Sequence, residues 1–255
     1  MPQAREVTEL HSYLIRAALE IDATRAYWSR TDGSATVSPK EAFDDFWFGS
    51  RSLKRVSELL ANLRLRFDAY PDALHALRHW VDMSPDTRNV ICHWHLMLAD
   101  PLYRGFTGNF LTQRRDRSNH ELHFDLVVAW IATVAGDRWA MSTRHQIAGK
   151  ILSAAADAGL IRGKRDPRRI TLPRVDDEAL TYMLYLLRDL EFNGTLLQNP
   201  YLASVGLDGS AVPDRLRRLP DVGYAKQGEL KEFDWRYPDL RAWAAATVAP
   251  PSVSA

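Results

Sequence analysis

The sequence predicts a mainly α fold. A helical N-terminal bundle leads into a winged helix-turn-helix-like unit with a short β-hairpin wing, and a helical to irregular C-terminal part follows. Three observations carry this reading. Apolar residues recur at helical spacing over most of the first 118 residues. Residues 121–172 run as an apolar helix, a short turn, a helix with one polar face and a basic hairpin, which is the order of a winged helix-turn-helix. Strand signals are confined to the short apolar pieces of that hairpin. The expected divisions are 1–118 for the bundle, 119–175 for the winged unit, 176–243 for a C-terminal helical segment packed on the rest, and 244–255 for a disordered tail.

With 255 residues, 46% hydrophobic and 25% charged, the chain is long enough to build a sizeable core and has the composition of a soluble globular protein. Eight Trp, nine Tyr and nine Phe give it a heavy aromatic load. A single cysteine, Cys92, excludes an internal disulfide framework and fits a reducing compartment. The opening M-P-Q-A-R-E-V-T-E-L lacks the apolar core of a signal peptide, and no stretch approaches the ~20 apolar residues of a membrane span. A cytoplasmic bacterial protein without a membrane partner is the expectation.

Residues 5–30 read as one or two helices with Leu10, Tyr13, Leu14, Ala17 and Ile21 as the apolar stripe, ended by T-D-G-S at 31–34. Ser38-Pro39 supplies an N-cap and a first-turn proline for a short helix rich in aromatics, with Phe43, Phe46, Trp47 and Phe48. Residues 49–67 form an amphipathic helix with Leu53, Val56, Leu59, Leu60, Leu63 and Phe67 inward. Its other side sets Arg51, Lys54, Arg55, Arg64 and Arg66 against Glu58 alone. Tyr70-Pro71 stops it. Further helices start at Asp72, with Leu74, Leu77, Trp80 and Val81 apolar, and at Ser84-Pro85-Asp86, with Val90, Ile91, Trp94 and Leu98 apolar. Pro101 opens P-L-Y-R-G-F-T-G-N-F-L, whose glycines suggest tight packing or a bend. Arg114, Arg115 and Arg117 make the following connector basic. Together with Arg51, Lys54 and Arg55 they form a candidate secondary basic surface, for which a solvated helix face is the plain alternative.

Residues 121–135 are almost wholly apolar, as in a buried helix, and Gly136-Asp137 turns the chain. Ser142 then offers an N-cap. From Thr143 onward Ile147, Ile151, Leu152, Ala155 and Ala158 fall on one face, and Thr143, Gln146, Lys150, Ser153 and Asp157 on the other. Gly159 stands where a left-handed C-cap is expected. Leu160-Ile161 and Ile170-Thr171-Leu172 make two short strands around a turn that holds Arg162, Lys164, Arg165, Arg168 and Arg169. The tight A-x-x-x-G turn of the strict helix-turn-helix is missing.

Over 142–174 there are eight Lys/Arg and two acids, a net of +6, whereas the whole chain carries +1. Basic charge is concentrated here and compensated elsewhere. Such a patch binds duplex phosphates by releasing counterions. Ser142, Thr143, Arg144, His145 and Gln146 are residue types that hydrogen-bond phosphates and base edges, with Lys150 one turn on. The nucleic-acid-contact candidates are therefore Ser142, Thr143, Arg144, His145, Gln146 and Lys150 on the helix and Arg162, Lys164, Arg165, Arg168 and Arg169 on the wing. A solvated hairpin on an ordinary core helix is the competing reading.

Downstream, Asp176, Asp177 and Glu178 place acids on a helix N-terminus, where the dipole favours them. Leu180, Met183, Leu184, Leu187 and Leu190 form that helix's buried stripe, and Asn193-Gly194 ends it. Residues 195–220 read as short helices and loops, with Arg215, Arg217 and Arg218 as a small basic cluster. Residues 221–243 are aromatic and polar, and fraying is expected from Ala244.

Little else suggests chemistry. In Cys92-His93-Trp94-His95 the side chains diverge on a helix, and His120 with His123 would give only two ligands, so no metal is expected and the histidines read as polar or surface residues. The acid pairs Asp44/Asp45 and Asp176/Asp177 diverge likewise. No phosphate-binding loop or G-x-S-x-G is present, so neither a cofactor nor an enzymatic activity is expected.

The 49–67 segment, A-D-P-L-Y-R-G-F-T-G-N-F-L at 99–111, S-T-R-H-Q-I-A-G-K-I-L-S-A-A-A-D-A-G-L-I at 142–161 and E-F-D-W-R-Y-P-D-L at 232–240 resemble the BrxA family, an accessory component of BREX bacteriophage-defence systems. The resemblance runs in order from about residue 7 to 243. It implies a mainly helical, non-enzymatic protein that binds double-stranded DNA beside a BREX methyltransferase, a phosphatase-like protein and an ATPase. Weak sequence preference is expected, because cations outnumber plausible base readers. An adaptor that docks other defence components through its helical and basic surfaces is the alternative. RNA binding by the helical half is a third possibility, for which no RNA-specific motif is present.

Overall fold

The computed structural model describes residues 4–31, 37–117, 119–209, 211–227 and 230–249. It is mainly α. In chain order the elements are β1 (Ala4–Arg5), α1 (Ile21–Arg30), α2 (Pro39–Asp44), α3 (Leu53–Phe67), α4 (Pro71–His79), α5 (Pro85–Ala99), α6 (Pro101–Gly105), a π-helical turn over Phe106–Phe110 and α7 (Leu111–Asp116). Next come β2 (Glu121–Leu122), α8 (Phe124–Ala135), α9 (Met141–Asp157), β3 (Ile161–Arg162), β4 (Arg168–Ile170), α10 (Asp177–Arg188) and β5 (Leu190–Glu191). Then follow α11 (Pro200–Ser204), α12 (Ala211–Leu216), β6 (Val222–Gln227), β7 (Leu230–Trp235) and α13 (Leu240–Thr247). Among the described residues no helix is long and apolar enough to cross a membrane.

Two helices sit at the centre and are buried all round. In α5 every residue from Val90 to Ala99 is buried, and in α10 every residue from Ala179 to Leu187. The sequence predicts a stripe on each. The rest of each surface is covered because other elements close over it, and the polar groups there are satisfied inside. His93 bonds Tyr103 Oη and Ser204 Oγ, both at 2.9 Å. His95 bonds the Arg66 carbonyl at 3.0 Å and Tyr182 Oη at 2.7 Å. These histidines are core members, not surface residues, and burial pushes them down to about 3 and about 4. Among the described residues no group of three or more His, Cys, Asp or Glu is placed to hold a metal.

The N-terminal segment departs from the expected helices. Only Ile21–Arg30 forms an α-helix, preceded by a 3-10 turn at Tyr13–Ile15, and Tyr13 is exposed. The reason lies in α3. Arg66 is 2% exposed and donates to the carbonyls of Ala17, Ala18 and Leu19. Those carbonyls go to a guanidinium instead of a helical ladder. Glu20, at φ 52°, breaks the chain before α1 begins. Upstream, Glu6 is buried with Arg104 Nε at 3.4 Å, and its carboxylate accepts from Tyr201 Oη, so the first described strand is held by an internal charge pair.

Gly108 explains the glycines of the 101–111 stretch. A Cβ there would lie 2.5 Å from Pro200 Cβ and 2.7 Å from its carbonyl oxygen, so the π-helical turn and α11 approach backbone to backbone. Toward the C-terminus β6 and β7 form an antiparallel hairpin, an element that the aromatic and polar pattern of 221–243 does not announce. α13 continues through Thr247, past the point where fraying is expected, because Trp243, Ala244 and Val248 are buried. Trp243 lies edge-on to Trp80 at 5.6 Å and donates to Asp221 at 3.1 Å. Residues 250–255, the rest of the expected tail, lie outside the described residues.

Candidate nucleic-acid interface

Gly136, at φ 54°, ψ −135°, ends α8 in a conformation that a side chain would strain. The chain then makes a 3-10 turn, extends through Trp139, and enters α9 two residues sooner than expected. Ala140 is the N-cap without a side-chain bond, and Ser142 is the second helical residue, not the cap. Arg144 fixes this turn from inside the helix. Its Nε donates to the Trp139 carbonyl at 2.8 Å and its Nη2 to the Gly136 carbonyl at 2.7 Å. The guanidinium predicted to meet a nucleic acid thus closes the α8–α9 turn.

The faces of α9 fall as its spacing predicts. Ile147, Ile151, Leu152, Ala155 and Ala158 are buried, with Ala148 and Ala154 beside them. Ser142, His145, Gln146, Gly149, Ser153 and Ala156 are exposed, whereas Thr143, Arg144 and Lys150 are half-buried. His145 meets Phe124 edge-on at 5.6 Å. Gly159, at φ 75°, provides the left-handed exit. α8 is less enclosed than its composition suggests. Val127, Val128 and Ile131 are buried, but Val134 is 44% exposed, because only one side of the helix meets the core.

The basic hairpin is anchored by Ile161 and Ile170, which pair across β3–β4 and are buried. β4 also pairs with β2, giving a three-stranded sheet in the order β2-β4-β3. Residues 121–122 are therefore a strand, not the start of α8. The alternation Glu121, Leu122, His123, Phe124 is the sequence signal for it. Strand alternation separates the two neighbouring arginines. Arg169 lies opposite both Glu121 and Arg162 on the outer face. Arg168 shares the side of buried Ile170, is half-buried, and pairs with Asp166. Asp166 also accepts from the Phe124 backbone N–H at 2.7 Å. Arg162, Lys164, Arg165 and Arg169 are exposed and make no ion pair among the described residues, as does Arg174 beyond the strand. An open hollow of about 670 Å³ lies along β2 and β4, lined by Asn119, His120, Glu121, Pro167, Arg168 and Arg169.

Several cations of the candidate secondary basic surface and of α3 are engaged within the fold. Arg55 is held by Glu20 at 2.6 Å and Glu58 at 3.6 Å, Arg64 by the Val37 carbonyl, and Arg66 is buried. Arg114 donates to Asn119 at 2.9 Å and to the Glu121 carbonyl at 2.5 Å, tying the connector to β2. Arg115 donates to the Ala203 carbonyl at 2.7 Å. Of that group Arg51, Lys54 and Arg117 remain exposed.

The profile of the BrxA family matches residues 34–184, more than half of the chain, from α2 into α10. No curated protein matches the chain. A crystal structure of an uncharacterized protein from Magnetospirillum magneticum is similar in fold. It is 14% identical, superposes with a TM-score of 0.59, and covers 79% of this chain and 100% of its own.

Proposed function

The chain belongs to the BrxA family, and from that premise we propose a non-enzymatic, double-stranded DNA-binding accessory protein of a BREX-type phage-defence system. The family implies association with BREX components. Duplex binding rests on one observation above the others. Four cations of the hairpin, Arg162, Lys164, Arg165 and Arg169, stand exposed and make no ion pair among the described residues. The next helix back, α9, presents Ser142, His145 and Gln146. The order short strand, helix, turn, helix and hairpin, with the first strand beside the last, supports the winged-helix reading. In this reading α9 enters a groove and the hairpin tip contacts the phosphate backbone. The small residues Gly149 and Ser153 let the helix face approach closely. Cations outnumber base readers, so affinity comes mainly from phosphates and sequence preference is weak.

The test is an anisotropy titration against a duplex of arbitrary sequence from about 50 to 200 mM salt. Saturable binding with a steep slope is expected. Each lost phosphate contact lowers the slope by about 0.9, so K164A/R165A/R169A flattens it by about 2–3 and weakens binding. Undiminished affinity and slope in that variant would remove the hairpin from the argument. Absence of duplex binding at the low-salt end would favour a protein-docking role for the same basic surface.

A further inference from the structure

The basic hairpin is held at two places. At its base Ile161 and Ile170 are buried, and β4 pairs with both β3 and β2. Its tip, residues 163–167, lies beyond the paired strands. The tip carries Lys164 and Arg165, both exposed and without an ion pair among the described residues. Among the described residues a single hydrogen bond joins this tip to anything outside the hairpin. Asp166 Oδ2 accepts from the Phe124 backbone N–H at 2.7 Å.

The far end of that bond reaches the polar face of α9. Phe124 is the first residue of α8, is half-buried, and meets the His145 ring edge-on with centroids 5.6 Å apart. His145 is exposed on the face that also presents Ser142 and Gln146. Two contacts, Asp166 to Phe124 and Phe124 to His145, therefore run from the hairpin tip to the helix face. For charge alone Asp166 is misplaced. A carboxylate among the hairpin cations subtracts from any attraction to phosphate, and it takes Arg168 as its ion-pair partner.

We propose that Asp166 is a positioning residue for duplex binding: its bond to Phe124 holds the tip cations Lys164 and Arg165 in one setting against the exposed face of α9. The proposal rests on the duplex-binding reading and adds to it a residue that acts through others. Without the bond the tip samples many settings, and binding must order it, which costs affinity. The effect of charge runs the other way, because loss of the carboxylate frees Arg168 and strengthens attraction to phosphate. A pair of variants separates the two effects. Asp166→Asn removes the charge and keeps an oxygen able to accept from Phe124, whereas Asp166→Ala removes both.

The experiment is anisotropy titration of the full chain with a duplex of arbitrary sequence at several salt concentrations, for wild type, D166N and D166A. D166N is expected to bind at least as tightly as wild type. D166A, of equal charge, is expected to bind about three- to tenfold more weakly than D166N with the same salt slope. In a K164A/R165A background the two variants are expected to bind alike, because no tip cation is left to position. A general loss of stability would instead weaken D166A in both backgrounds. Equal affinities of D166A and D166N in the intact chain overturn the proposal, and so does a gap that persists in the K164A/R165A background. Wild type that binds no duplex overturns the duplex reading and this proposal with it, whereas equal affinities in a chain that binds duplex leave that reading in place.

Discussion

Asp166, at the tip of the basic hairpin, accepts a hydrogen bond from the backbone N–H of Phe124, the first residue of α8, at 2.7 Å. The N-cap position itself, His123, makes no side-chain bond, so a residue 42 positions away does the capping. The same carboxylate pairs with Arg168. One acid therefore sets the hairpin against the helix pair and withdraws one of the hairpin's five cations from solvent.

Replacing Asp166 by Ala removes this cap and releases Arg168. A lost cap costs about 1 kcal/mol, which for a chain of this size lowers Tm by about 2–4 °C. Asp166→Asn keeps an acceptor and loses less. Amide exchange at the first turn of α8 is expected to quicken in the Ala variant. Unchanged protection there would mean that water replaces the carboxylate at no cost.

Two glycines make opposite predictions. Gly108→Ala gains about 1 kcal/mol in helix propensity but drives a methyl into the Pro200 ring and backbone, which cannot give way. Overpacking of about 1–3 kcal/mol or more wins, and Tm falls. Gly149→Ala, on the exposed face of α9 with nothing within 4 Å of the new Cβ, gains the propensity without the clash, and Tm rises. Thermal melts of the two variants check both signs.

Acid should destabilise the fold through its buried histidines. His93 and His95 have folded pKa values depressed by burial to about 3 and about 4, below the unfolded value of about 6.5. The unfolded chain then binds more protons between those limits, so stability is full above about pH 6.5 and falls as pH drops. Each histidine contributes about 1.4 kcal/mol per pH unit within its window. Asp100, raised by burial, works in the opposite sense. Denaturant unfolding at pH 7, 6 and 5 is expected to show the loss, and His95→Gln, which keeps an amide able to bond Tyr182, is expected to reduce the slope.

Much of the fold was legible because it is local. Ser38 and Ser84 cap α2 and α5 beside the residues where the apolar pattern starts, whereas α3 begins only at Leu53, behind its cap Ser52, and not at residue 49 as expected. The inward face of α9 and the exit at Gly159 follow from 3.6-residue spacing and from the tolerance of glycine for positive φ. β2 and the β6–β7 hairpin were missed, since the four-residue alternation at 121–124 and the aromatic pattern of 221–243 give weak signals beside helical ones.

What the sequence by itself determined is the set of faces: which residues of α9 turn inward, where the helix stops, and that net positive charge gathers over 142–174. What only the tertiary structure decided is which cations remain available. Arg66 is taken by carbonyls of residues 17–19, Arg115 by that of Ala203, Arg144 by those of Gly136 and Trp139, and Arg168 by Asp166. The physical reason is reach. Periodicity and capping act within a turn or two of the chain, whereas a guanidinium on a long side chain is satisfied by whatever oxygen the fold brings near it, often from a remote segment.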